Sequence, residues 1–140
     1  MADVIYNAFK KNIMNGTIDL ENDVIRVALV TSSYTPDQDA HEFFDDITNE
    51  VVGTGYVQEG AALASKAVTA DNTDNEGVFD AANVTWSSST ITARGAVLYE
   101  DTGTPSTSAL IAYIDFGSDK TSTAGDFTIE WNSEGILNLG

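Results

Sequence analysis

The chain has 140 residues, with 22 Asp and Glu against 6 Lys and Arg, so its formal charge is −16 with the single histidine neutral. Six scattered cations cannot build the basic groove that nucleic-acid binding requires, and an anionic membrane surface would repel the chain for the same reason. With no cysteine, disulfides, thiol catalysis and thiolate metal sites are excluded together, while 42% hydrophobic residues is too many for a disordered acidic chain.

The predicted elements, in chain order, begin with a helix at about residues 3 to 14. Ile5, Phe9 and Ile13 recur every fourth residue, joined by Ala8 and Met14, with Asn7, Lys10, Lys11 and Asn12 on the other face. Asp3 sits in its first turn, Lys10 and Lys11 lie near its last, and Asn15-Gly16 supplies a left-handed stop. The polar residues in this opening stretch interrupt the apolar run of a secretory signal, and no segment approaches the length of a membrane-spanning helix. After a polar turn at Asp19 to Asp23, residues Val24 to Thr31 are nearly all apolar and read as a central strand. Ser32 to Asp39 is a loop, and Phe43, Phe44, Ile47 and Val51 are spaced for a short helical turn near 41–51.

Beyond it the pattern becomes short strands between turn residues: Thr54 to Gln58, Ala62 to Ala70, Gly77 to Phe79, Asn83 to Trp86, Ile91 to Tyr99, Ala109 to Phe116, Phe127 to Trp131 and Ile136 to Leu139. Thr, Val and Ile make up 37 of the 140 residues, which favours sheet. Leu110, Ala112, Ile114 and Phe116 alternate with Ile111, Tyr113 and Asp115, as expected of a strand with one buried face. The expected architecture is mainly β, a single-domain antiparallel β-sandwich or barrel over residues 1–140 with an N-terminal α-helix.

No catalytic constellation emerges. The only histidine, His41, lies in the acidic stretch from Asp37 to Asp46 with no nucleophile motif nearby, and Gly53-Thr54-Gly55 lacks the further glycine and the helix of a phosphate loop. The sharpest metal candidate runs from Asn72 to Asp80, where Asn72, Asp74, Glu76 and Asp80 offer oxygens, with a glycine sixth and an apolar residue eighth. The twelfth position is Asn83 where a calcium loop needs a bidentate Glu, and strands flank it, so a polar turn is the expected reading and no metal is assigned. Asp37, Asp39, His41 and Glu42 form a second, weaker cluster. Among the aromatics, Tyr34 beside Pro36 and Tyr56 between glycines are the ones expected outside the core, where either could anchor a partner. Neither enzyme activity nor a cofactor is expected.

The run Val4 to Gly16, then Ile18-Asp19-Leu20 and Ile25 to Asp37, resembles a family of small virion proteins of tailed phages and prophages. Val84-Thr85-Trp86, Ile91 to Tyr99 and Leu110 to Gly117 resemble the same family. What the resemblance implies is a structural part of a phage particle: a capsid decoration, or cement, protein at the capsid surface, assembled in the host cytoplasm. Its partners would be the major capsid protein and sister subunits in a homo-oligomer, for which a trimer would suit capsid threefold positions. The acidic faces would point to solvent, with less acidic strand faces or the N-terminal helix making the contacts. A tail, neck or head-fibre component is the alternative within the same family, and a calcium-dependent carbohydrate-binding or adhesion module is the alternative outside it.

Overall fold

In the computed structural model, which describes residues 3–140, eight strands form two antiparallel sheets with one α-helix and one 3-10 turn. Strands β1 (Val4–Ile5), β2 (Ile25–Val30), β3 (Ala61–Ala62), β6 (Val84–Glu100) and β7 (Leu110–Ile129) make a five-stranded sheet in the order β1-β7-β6-β2-β3. Strands β4 (Ala67–Asp71), β5 (Glu76–Asp80) and β8 (Leu137–Leu139) make a smaller sheet in that order. The arrangement is sandwich-like, and among the described residues neither sheet closes on itself.

The run read as a central strand is one. Ile25, Val27 and Leu29 of β2 enter the main core with Ile91, Ala93, Ala96 and Leu98 of β6 and Ile111 of β7. On the opposite face Ala28 and Val30 join Val97, Tyr99, Leu110 and Tyr113 under a lid of Tyr6, Tyr34 and Phe44. Both faces are therefore covered, which is why the segment is continuously apolar instead of alternating. For the same reason Leu110 to Tyr113 are all buried, correcting the expectation of a single buried face there. The lid includes the short helical turn, here a 3-10 turn at Phe44–Asp46, with Phe44 against Tyr99 at a centroid separation of 4.2 Å.

Helix α1 spans Asn7–Met14, shorter than the predicted 3 to 14. Val4 and Ile5 instead pair with Tyr113 and Ala112 at the edge of the large sheet, and Asp3 accepts the Asp115 amide at 2.7 Å in place of capping the helix. Two β-branched residues beside an open strand edge gain more from the ladder than from another helical turn. Asn12, expected to face away, is buried, whereas Met14, expected in the stripe, is 88% exposed. Gly16, at a φ of 76°, provides the left-handed exit.

Four predicted strands merge into two. Asn83 to Trp86 and Ile91 to Tyr99 are halves of β6, and Ala109 to Phe116 and Phe127 to Trp131 are mostly within β7. The polar stretches between them are irregular points of one long ribbon, with register shifts around Ser89 and positive φ at Ser88 and Ala124. Ala62 to Ala70 divides the other way, because Ser65 at a φ of 55° sends β3 and β4 to different sheets. Thr54 to Gln58 is not a strand; it belongs to a pinned loop from Glu50 to Gly60 that completes the edge of β2.

Candidate functional site

The small sheet presents an apolar face. Val68, Phe79 and Leu137 lie in register across its three strands, and Ala70, Gly77 and Leu139 form the next row. Phe79 is buried in the main core, so that row is anchored. The next row runs out past the core, where Leu139 is 75% exposed and a Cβ placed on Gly77 would meet nothing. Facing these residues across a gap are Ile5 from β1 and Phe9, Lys10, Ile13 and Met14 from α1. Together they enclose an open groove of about 390 Å³, closed at its inner end by Phe9, Leu20 and Phe79.

This groove concentrates the chain's unusual exposures. Ile5, Met14, Val68 and Leu139 are four of the seven large hydrophobic residues exposed at the surface among the described residues. Scattered exposed apolar side chains need no explanation, but these four share one concavity. Its chemistry is uniform, with Lys10 the only charged residue in the lining. Lys10 and Lys11 stand exposed on α1, with Lys10 Nζ donating to Asn7 Oδ1 at 3.3 Å. Arg26 and Arg94 are engaged elsewhere, with Asp101 and Asp115. Thus one of the six cations, Lys10, lines an apolar groove on an otherwise acidic surface.

The metal candidates divide. Asp74 and Glu76 do converge, with Asp71 and Glu134 as their neighbours: one carboxylate oxygen from each of the four lies within 4.8 Å of the others. Asp80 is outside that carboxylate group, paired opposite Ala67 with its Oδ1 accepting the Ala81 amide at 2.9 Å, but Asn72 and Asp80 line one open cavity together with Asp71 and Glu134. Two members were missed: Asp71, which directly precedes the predicted run, and Glu134, from the loop before β8 some sixty residues away in sequence, which no local motif could reveal. Asp71 is also occupied, capping the Thr73 and Asp74 amides at 2.9 and 3.2 Å, and Glu76 accepts from Asn138. The turn chemistry expected of Asn and Asp is the role these contacts display.

Tyr34 and Tyr56, expected outside the core, are buried at 2% and 8% exposure. Each carries its hydroxyl to a polar partner, which lets an aromatic beside turn residues point inward. Tyr34 bonds Tyr6 at 2.7 Å and His41 Nδ1 at 2.9 Å, and the Asp37 amide also donates to that nitrogen, which places the imidazole proton on Nε2. Burial pushes the Tyr34 hydroxyl up to about 12 and that of Tyr6 further. The second cluster thus brings together Asp37 and His41, with Asp39 bonded instead to Asn7 and Glu42 donating its amide to Asp46. Its contacts tie the 31–47 segment down over the sheet. Tyr56 donates to Glu50 and accepts the Leu29 amide at 2.9 Å, beyond the end of β3. Burial raises the pKa of Glu50 as well.

No protein-family model matches the chain, and neither the curated proteins nor the solved structures contain a match.

Proposed function

We propose that the protein is a structural component of a tailed-phage particle, a decoration or cement protein whose partner is the major capsid protein, and that the groove between α1 and the small sheet is an association surface. The observation that carries the reading is the groove itself. Four exposed aliphatic or thioether side chains line a concavity beside Lys10 on a strongly acidic molecule. Burying such a surface releases roughly 25 cal/mol for each Å² of apolar area, a gain available only on association. The sequence resemblance supplies the setting, and α1 forms one wall of the groove.

The acidic remainder has a physical use in this setting. A charge of −16 keeps free subunits soluble before assembly. At physiological salt the repulsion between assembled neighbours is screened over about 8 Å. The experiment is quantitative mass spectrometry of purified particles, measuring this protein against the major capsid protein. A ratio near one, or a simple fraction such as one third, is expected for a lattice-wide role. A few copies per particle would transfer the protein to the tail, neck or a head fibre, and absence from particles would overturn the virion reading.

A further inference from the structure

The geometry points to a second copy of this chain as the occupant of the groove, entering it with the loop that carries Val52 and Val57. This rests on reading the groove as an association surface and names its partner.

The loop is a preformed knob. Val52 and Val57 are 88% and 71% exposed, yet the residues beside them are fixed: Val51 and Tyr56 are buried in the main core. The Val51 amide donates to Leu29 O at 2.9 Å, the Thr90 amide to Thr54 O at 2.9 Å, and Gln58 Nε2 to Val51 O at 2.7 Å. Gly53 and Gly55 lie so close to Thr90 and Ser89 that a Cβ at either would collide with them. Two aliphatic side chains are thereby held out to water on a backbone with little freedom to lose, the condition under which binding sacrifices least entropy. The groove, open above Gly77, offers an apolar hole of about 390 Å³ with room for such side chains.

Charge selects the same partner. Lys10 lines the groove, and no ion pair is found for it among the described residues. The knob carries exposed Glu59 two residues after Val57. Docking knob into hole sets a carboxylate near Lys10 on a molecule that otherwise has few cations to offer. Position then sets the symmetry. Helix α1 follows β1 at one edge of the large sheet, and the knob loop leads into β3 at the other edge. A contact between different patches is heterologous, so each copy has one knob and one hole left to use, and the contact closes into a ring where the rotation allows.

The test is sedimentation velocity on the purified chain at physiological salt, from micromolar to near-millimolar concentration. The expected result is a mass that rises with concentration to at least twice that of the monomer. Val57→Asp, which spoils the knob, and Leu139→Asp, which spoils the hole, should each remain monomeric and melt as the wild type does at concentrations too low for it to associate. Mixed together, the two variants still possess one good knob and one good hole, so the mixture should form one-to-one pairs and nothing larger. The exchange Lys10→Glu with Glu59→Lys should associate more strongly than either single change. A wild-type chain that stays monomeric throughout, single variants that assemble as wild type does, or a mixture that fails to pair would each overturn the proposal. If the wild type is monomeric while Leu139→Asp is lost from particles, the sister-copy contact fails and the virion association surface stands.

Discussion

Tyr56 shows how much one side chain can carry. β3 covers only Arg26 and Val27 of β2, so the Leu29 amide has no strand to bond and uses the Tyr56 hydroxyl instead. Tyr56→Phe leaves that buried donor unsatisfied and is expected to cost about 1–3 kcal/mol, measured by urea unfolding. Gly60 stands at a φ of 79° with Val27 O only 1.9 Å from where a Cβ would be. Gly60→Ala should lose about 1–3 kcal/mol from backbone strain alone, before any clash, again read from the unfolding midpoint. Glu100 gives a pH signature. Burial, and then the neighbouring Asp23 carboxyl, raise its pKa from 4.5 to about 7. The folded protein therefore holds a proton that the unfolded chain releases, and stability falls as the pH rises from about 4.5 through about 7. Glu100→Gln should flatten this slope, melting close to wild type at the acid end and above it at pH values past the raised pKa. Equal slopes for the two proteins would contradict the assignment.

The long β6–β7 ribbon owes its shape to a buried serine. Ser89 Oγ lies within hydrogen-bond distance of Trp86 O, Gly125 O and Ser122 Oγ, at 2.9, 3.0 and 2.8 Å, where the two strands slip register. Ser89→Ala strips partners from buried groups and is expected to cost about 1–3 kcal/mol, with hydrogen exchange accelerating first around residues 86–90 and 122–125. Sequence periodicity could not anticipate this, since a polar Ser-Ser-Ser-Thr run between two apolar stretches reads as a turn whether or not the chain reverses. What it did reveal was governed by burial: β2 is apolar because both its faces are covered, and the 3-10 turn follows the spacing of Phe43, Phe44 and Ile47. Helix α1 was legible at its end, through Asn15-Gly16, but not at its start. The stripe of Ile5, Phe9 and Ile13 extends unbroken into a strand whose pairing partner lies more than a hundred residues away. Tyr34 and Tyr56 were misplaced for a related reason, because their hydroxyl partners lie on segments that only the fold brings near.

For the whole molecule, the groove was the least legible feature, because it joins residues from the two ends of the chain with a hairpin from the middle. Each contributor looks ordinary alone: a methionine in a helical stripe, a glycine in a hairpin, a leucine in a terminal strand. Its significance comes from contrast with an acidic exterior, and under the proposed function this concavity would hold the protein in its assembly. The direct measurement is the amount of Leu139→Asp recovered in purified particles, compared with Ser118→Asp, which adds the same charge at an exposed position of β7 outside the groove lining. Both changes lie at the surface and should alter stability by no more than about 0.5 kcal/mol. The expected result is at least a tenfold loss of Leu139→Asp from particles, a change of about 1.4 kcal/mol in association, with Ser118→Asp retained at the wild-type level. Equal retention of the two variants would contradict the account.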